Sequence, residues 1–598
     1  MRSNLPTIAP QLLRSRLTKV CVAIVGSTPA EMIEKATSVV KETPFLEFRL
    51  DYLEKPLLAL PKLKQFFADN TAATAIATCR RAANGGKFTG TIAAEVEILF
   101  KAADAGFHLV DIELQSAESI KKAGLQKLRE TGIALIVSYH DFNATKDLDG
   151  IYARIAPFNP DFVKIVPTAK ALVDNVTLIR FLERMNDHTN IIGICMGDAG
   201  VISRVLGVRA GSAFTFAAAT PGEETGPGQI AARTLIETYR IEHVDAATKV
   251  YGVAGNPIRS SLSPVMMNTA FRRETVNAVY LALQTTRLSD LLKLVHEIPV
   301  QGVSITMPLK QEILPHLEQT DPLSAKIGAV NTIRLLDGKL YGFNTDVAGI
   351  VGPLEKRMSL RGAKVLVLGA GGAARAAVFG VRDRGAEVFI LNRTAETAQK
   401  LARQSGSKTI RKEALAKTSF DAIINATPVG MTGNKAPQIL EAKDLNTRLV
   451  FDLVYNPLET PLIHMARQQS IPIITGVEMF VQQGARQFEI FTGKPAPEEE
   501  MFRVVLHALR QQTAEAAAAE AAEAAAPKAT KASAAKPAAA KPAAPKPAPS
   551  KPSASKPAAK PAAKPAAKPA AKPATAKHAA KPPVAKKTVR PLAAKRKK

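Results

Sequence analysis

Residues 161–167, "DFVKIVP", set a lysine in the middle of an apolar run that otherwise reads as a buried strand. The run is one of eight. Between residues 19 and 219 a short apolar stretch followed by a helix-length segment recurs as KVCVAIVG, PFLEFRLD, TAIATCR, FHLVDIEL, IALIVSYHD, DFVKIVP, NIIGICMG and SAFTFAAA. Alternating strand and helix signals imply parallel strands joined by crossover helices, and eight such units close a (β/α)8, or TIM, barrel. Such barrels carry their chemistry at the C-terminal ends of the strands, so the polar residues ending the runs are the candidates.

A chain of 598 residues exceeds what one hydrophobic core usually serves, which predicts two or more folded domains. Residues 527–598 contain no Asp or Glu and are dominated by Ala, Pro and Lys; this composition cannot bury a core and predicts a disordered tail. Of the 80 Lys and Arg, 20 lie in that tail, so the first 526 residues hold 60 against all 53 acids, a net of +7. The tail carries most of the chain's charge. Cys21, Cys79 and Cys195 are far apart, with no CxxC pair and no Cys/His cluster, which argues against a disulfide framework and a structural metal and fits a reducing, cytoplasmic setting. No uninterrupted apolar run reaches 18 residues, so no membrane span is expected. The opening residues 1–17 read as a short frayed extension rather than a transit peptide.

Lys164 falls near a strand end, where burial disfavours the ammonium and would free the amine to attack a carbonyl. A lysine with its head reaching out of the barrel mouth is the plain alternative. Company favours the first reading: His140 ends the preceding run in "SYHDF", one strand away on the same face, and a base beside an imine makes a mechanism. Glu47 and Arg49 in "EFRLD", Arg80 in "TCRRAANGG" and Arg204 in "MGDAGVISR" add guanidinium groups suited to a carboxylate substrate.

These segments, with "VKI" and "GPGQI", resemble the type I 3-dehydroquinate dehydratase family across residues 18–243. The resemblance implies an imine between Lys164 and the substrate ketone, with His140 removing the α-proton. It also implies that Glu47, Arg49, Arg80, Arg204, Thr225 and Gln229 hold the carboxylate and hydroxyls, with no metal. Asn84 stands where the family often has an acid, and Thr225 where a serine is common.

A new strand, VYGVAG, begins near residue 249, and a second α/β series follows: LALQ, GVSITMP, AVNTIRLL, KVLVLGAGGAA, EVFILNRT, AIINAT, RLVFDLVY and IPIITG. In "VLVLGAGGAARA" a strand runs through a Gly-rich turn into a helix, which presents backbone N–H groups to a pyrophosphate. The next strand ends in "LNRT" rather than an acid, and Arg393 there favours a 2′-phosphate, hence NADP over NAD. The segments "NPIRSSLSP", "GVSITMPLKQ", "GAVNT", "GFNTD", "NATPVGM", "FDLVYNP" and "GVEMFVQQGARQFEIFTG" resemble the shikimate dehydrogenase family over 249–510. That resemblance implies a catalytic pair, Lys310 and Asp346, and a substrate site of Ser261, Ser263, Thr306, Asn331, Tyr455 and Gln483. The cofactor would meet Gly369, Ala370, Gly371, Gly372, Ala373, Asn392, Arg393, Thr394, Thr427 and Gly476.

The expected organisation is a TIM barrel over 18–243, then a two-lobed α/β dehydrogenase with a substrate lobe at about 249–345. A Rossmann lobe for NADP(H) follows at about 346–475, with helices to 510, an Ala/Glu helix extension at 511–526 and the tail. The two resemblances explain each other, because the first reaction makes 3-dehydroshikimate and the second reduces it to shikimate. Three alternatives are a tail that binds nucleic acid or another polyanion non-specifically, a quinate-directed dehydrogenase, and a degenerate barrel kept as scaffold.

Overall fold

The computed structural model describes residues 13, 16–186, 190–258 and 261–525. The expectations for the basic tail fall outside them. The first eight strands are β1 Val20–Ile24, β2 Phe45–Arg49, β3 Thr74–Thr78, β4 Leu109–Glu113, β5 Ala134–His140, β6 Phe162–Val166, β7 Ile191–Gly193 and β8 Thr215–Ala218. They form one parallel sheet in the order β7-β6-β5-β4-β3-β2-β1-β8, a nearly closed barrel. At the seam between β7 and β8, Ala213 N donates to Ile191 O at 2.8 Å. Beside it the buried Ser212 Oγ accepts from Gly193 N at 3.1 Å and donates to Phe214 O at 3.1 Å.

Side chains alternate along a strand, so every second residue points into the barrel. Cys21, Phe45, Ile76, Leu109, Ile136, Phe162, Ile192 and Phe214 form a single apolar cluster, one from each strand or its entrance. Leu13 belongs to the same cluster and is buried. The expectation of a frayed start therefore fails at this residue, because an apolar layer at one end of a barrel needs a cover. Two residues further along, the same inward face carries Glu47, Thr78, Asp111, Ser138 and Lys164, all buried.

The second series builds two sheets. The mixed sheet has β9 Lys249–Gly255, β10 Ala278–Gln284, β11 Val300–Ile305, β12 Gln319–Thr320, β13 Thr332–Leu336 and β14 Lys339–Phe343 in the order β10-β9-β11-β13-β14-β12. The other is all parallel: β15 Lys364–Leu368, β16 Glu387–Leu391, β17 Lys408–Thr409, β18 Ala422–Asn425, β19 Val450–Asp452 and β20 Ile473–Ile474, ordered β17-β16-β15-β18-β19-β20. Renumbered from its own first strand this is 3-2-1-4-5-6, the Rossmann order, whose ligand crevice opens between strands 1 and 4. The short β12, β14 and β17 were not legible as strands in the sequence. Helix Gly476–Thr492 packs back onto the mixed sheet and helix Glu498–Ala525 follows it. Among the described residues no helix is long and apolar enough to cross a membrane.

Replacing Ser212 with Ala leaves Gly193 N without its partner at the barrel seam. The expected cost is about 1–3 kcal/mol, seen as a lowered thermal midpoint of the full chain.

Candidate active sites

The barrel mouth is a cavity open to solvent, and its lining includes Glu47, Arg49, Arg80, His140, Lys164, Arg204, Thr225 and Gln229. All eight residues assigned to this site from the sequence thus share one concavity. Lys164 Nζ donates to Asp111 Oδ2 at 2.8 Å, stands 3.9 Å from Glu47 Oε1, and lies 3.8 Å from the centre of the Phe216 ring. Asp111 and Phe216 thus hold the head of Lys164 in place from two sides.

Asp111 and Glu113 are the residues that sequence reasoning missed. Both follow Leu109 at even spacing on β4, so strand alternation in "LVDIE" was the available signal. Arg80 donates to Asp111 Oδ1 at 2.8 Å and also bonds Glu113. Burial opposes ionisation of Asp111, but Arg80 and then Lys164 outweigh it and hold the carboxyl well below the usual range. For Glu113 burial is likewise outweighed, first by His140 and then by Arg80. Ser138 Oγ completes the network with a 2.6 Å bond to Asp111 Oδ1.

His140 Nδ1 lies 2.9 Å from Glu113 Oε2, and its backbone N donates to Glu113 Oε1 at 3.0 Å. Burial, followed by the Arg80 charge, pushes the imidazole below its ordinary 6.5 despite Glu113. Arg49 is tied to Asp51 by two bonds of 2.8 and 2.9 Å. Arg204 differs from both other arginines: it donates to the backbone carbonyls of Gly228 at 2.7 Å and Phe216 at 3.0 Å, and burial pushes it down to about 10. Thr225 N and Oγ1 both donate to Gln229 Oε1, at 2.6 and 3.1 Å. Asn84 accepts from Arg81 at 3.2 Å.

The second site lies where the mixed sheet meets the Rossmann sheet. Lys310, on the short helix Leu309–Glu312 after β11, is hydrogen-bonded to Asp346 at the start of helix Asp346–Glu355. Asn331 Nδ2 donates to Asp346 Oδ1 at 2.7 Å and lies 3.4 Å from Gln483 Oε1. Beneath them runs a buried chain that the sequence did not disclose: Tyr280 OH to Ser304 Oγ at 2.6 Å, Ser304 Oγ to Gln487 Oε1 at 2.7 Å, and Gln487 Nε2 to Thr332 Oγ1 at 3.1 Å. Ser261 Oγ accepts from Ser263 N at 3.3 Å, Thr306 directly follows β11 with its N donating to Ala254 O at 2.9 Å, and Tyr455 stacks on Phe480 with ring centres 4.5 Å apart.

The Gly-rich turn adjoins this pair, since a Cβ on Gly372 would sit 3.2 Å from Lys310 Cδ. Gly369 has φ +108° and accepts no side chain without strain, while the space around Gly371 is open. Helix Gly372–Asp383 begins with no side-chain cap, so its first N–H groups remain for a ligand, and the turn with Ala370 and Ala373 fits a pyrophosphate. Arg393 and Thr394 are exposed at the end of β16, beside Asn392, whose side chain donates to Thr394 O at 3.0 Å. Thr427 follows β18, across the crevice. Gly476 is buried against the backbone of Val454 and Tyr455, where a Cβ would not fit.

Family models agree with this division. Residues 20–246 match "Type I 3-dehydroquinase", 253–333 the "Shikimate dehydrogenase substrate binding domain", 354–455 "Shikimate / quinate 5-dehydrogenase" and 476–506 the "Shikimate 5'-dehydrogenase C-terminal domain". The chain is 33% identical over 515 residues to the chloroplastic bifunctional 3-dehydroquinate dehydratase/shikimate dehydrogenase of Arabidopsis thaliana, covering 81% of this chain and 84% of that one. It is 37% identical over 267 residues to the NADP(+) shikimate dehydrogenase of Maridesulfovibrio salexigens, covering 44% and 97%. A solved shikimate 5-dehydrogenase from Thermus thermophilus, in complex with NADP(H) and shikimate, is 35% identical and covers 44% of this chain and 100% of its own, with a TM-score of 0.41.

Arg80→Met would leave Asp111 and Glu113 buried without their shared cation. It should cost about 3–5 kcal/mol, whereas Arg154→Met, at an exposed pair with Glu118, should cost about 0–1 kcal/mol; thermal melts of the two variants compare them directly.

Proposed function

The chain belongs to the bifunctional 3-dehydroquinate dehydratase/shikimate dehydrogenase family, and we propose that its two sites act in series, dehydrating 3-dehydroquinate and reducing the product to shikimate with NADPH. The observation that carries this reading is the presence, on one chain, of a buried lysine against a carboxylate in a barrel mouth and a Lys–Asp pair against a Gly-rich turn.

In the barrel, Lys164 gives up a proton and attacks the ketone, and water leaves as the C=N bond forms. The protonated imine draws electrons from the neighbouring carbon, whose proton passes to His140. The electron pair left behind expels the β-hydroxyl, which departs as water with the proton that His140 took up, and hydrolysis of the imine restores Lys164. Burial and Arg80 keep His140 neutral and able to accept that proton, and Glu113 fixes its ring. Asp111 holds Lys164 in place. With Arg49 and Arg80 already satisfied by Asp51, Asp111 and Glu113, Arg204 is the guanidinium for the substrate carboxylate, with Thr225 and Gln229 beside it.

In the dehydrogenase, NADPH supplies the hydride to the ketone carbon. Lys310 donates the proton that the new alkoxide takes up, Asp346 holds that ammonium, and Asn331 orients Asp346. Ser261, Ser263, Thr306, Tyr455 and Gln483 would hold the hydroxyls and carboxylate, and Arg393 would meet the 2′-phosphate. We place the enzyme in the cytoplasm, on its three free, buried cysteines.

Incubation with 3-dehydroquinate and NADPH should oxidise the cofactor. Lys164→Ala should abolish oxidation from 3-dehydroquinate but preserve it from 3-dehydroshikimate; Lys310→Ala should abolish both. No oxidation from either substrate by the unaltered protein would refute the assignment. His140→Ala should slow dehydration about 10²–10⁴-fold. The working form of His140 is neutral and burial, followed by Arg80, holds its pKa below that of an ordinary imidazole, so the acid limb of kcat/KM for dehydration should lie at lower pH than a free imidazole would give.

A second reading concerns residues 527–598, whose 20 positive charges stand with no Asp, Glu, Phe, Tyr or Trp. This segment suits sequence-independent contact with a polyanion such as nucleic acid. A gel shift present in the full chain at low salt, weakened at high salt and lost on deletion of 527–598 supports it, and no shift at low salt removes it.

A further inference from the structure

Asp452 ends β19 at 0% exposure, and among the described residues its hydrogen-bond partners are all neutral. Its Oδ1 accepts from Asn425 Nδ2 at 2.9 Å and from Val454 N at 3.0 Å, and its Oδ2 accepts from Thr460 Oγ1 at 2.6 Å. The strands on either side, "AIIN" and "II", carry no charged residue. On helix Pro461–Gln468, which Thr460 caps, His464 and Arg467 are exposed, and Arg467 pairs with Glu459 at 3.2 Å. Burial without a cation pushes the Asp452 carboxyl up to about 6.

Asn425 passes this anchoring on. Its Oδ1 accepts from Thr427 N at 3.1 Å and Thr427 Oγ1 at 2.7 Å, and its Nδ2 also reaches Val429 O at 3.2 Å. On the far side, a Cβ on Gly369 would lie 3.0 Å from Thr427 Cγ2 and 3.1 Å from Ala426 O. The loop after β18 is therefore the wall against which the Gly-rich turn after β15 packs, at the crevice of the Rossmann order. We propose that Asp452 is a positioning residue of the cofactor site: acting through Asn425, it fixes Thr427 and the wall of the Gly-rich turn without itself touching the cofactor. This rests on the reading that Thr427 and that turn hold NADP(H).

The geometry separates positioning from a merely structural role. An Asn at 452 presents a carbonyl where Oδ1 stands and an amide N–H₂ to Thr460 Oγ1, which can accept, so Asp452→Asn keeps the anchor without the charge. The native carboxyl holds its proton up to about pH 6, whereas the unfolded one releases it near the ordinary 3.8. The folded state thus binds more protons between those values, and Asp452's contribution to stability falls as pH rises from about 4 to 6 and stays low above. Asp452→Asn should therefore melt no lower than the unaltered protein at pH 8.

The test is the dissociation constant of NADPH, from its fluorescence on titration into full-length protein, together with the separate KM values. Asp452→Ala should weaken NADPH binding and raise its KM about tenfold or more, with KM for 3-dehydroshikimate held within about twofold; Asp452→Asn should keep NADPH affinity within about twofold. Dehydration of 3-dehydroquinate should be unchanged in both. Should the Ala variant fail to fold, Asn425→Ala interrupts the same relay. A folded Ala variant with unaltered NADPH affinity overturns the proposal, as does an equal rise in both KM values or an Asn variant as impaired as the Ala one. If the unaltered protein neither binds nor oxidises NADPH, the cofactor assignment itself has failed; a working protein with indifferent variants removes only the positioning role.

Discussion

The barrel depends on one constraint: charge taken out of water must be met by charge or by donors at close range. Glu47, Arg80, Asp111, Glu113 and Lys164 are all below a tenth exposed, and they lie above an apolar layer that offers them nothing. Each lone ion there would cost several kcal/mol. The network answers this by sharing: Arg80 spans Asp111 and Glu113, Asp111 also takes Lys164 and Ser138, and Glu113 also takes His140. Pairing of this kind adds little net stability over an apolar core, but it holds a lysine and an imidazole in fixed places.

The dehydrogenase solves a milder form of the same problem. Lys310 keeps 18% of its side chain exposed and needs only Asp346, while the deeper positions use neutral groups, Tyr280, Ser304, Gln487 and Thr332, each both donor and acceptor. Such a chain orients Asn331 without burying charge. It also joins the mixed sheet to helix Gly476–Thr492, so Asn331 on the one and Gln483 on the other are set by one hydrogen-bonded unit.

Much of this was legible beforehand because strand alternation and Gly-rich turns are local signals. The eight apolar runs, the turn at Gly369 and the Lys164–His140 neighbourhood depend on residues close in sequence or on adjacent strands. Three things were not legible. The inward turn of Asp111 and Glu113 is one, since they alternate with Val110 and Ile112 in "FHLVDIEL" but only closure of the barrel decides which face looks inward. The fate of each arginine depended on its partner, Asp51 nearby for Arg49, Asp111 and Glu113 on the next strand for Arg80 and backbone carbonyls for Arg204, so the three looked equivalent and are not. The Tyr280–Gln487 chain joins residues about two hundred positions apart, and no local pattern announces such a contact.

Asp111 and Asp452 show how far environment decides what a buried carboxyl can do. Both are essentially inaccessible, and burial is the leading influence on each, pressing both toward the neutral form. Around Asp111, Arg80 and Lys164 reverse that pressure, so the group stays ionised and holds the head of Lys164 in place. Around Asp452 three neutral donors soften the pressure without cancelling it. Asp452, ionised above about pH 6 and met by neutral donors, serves instead to anchor the hydrogen bonds of Asn425, Val454 and Thr460. The first therefore sits against Lys164 in the barrel mouth, and the second stands two residues back from the Gly-rich turn, behind Asn425 and Thr427.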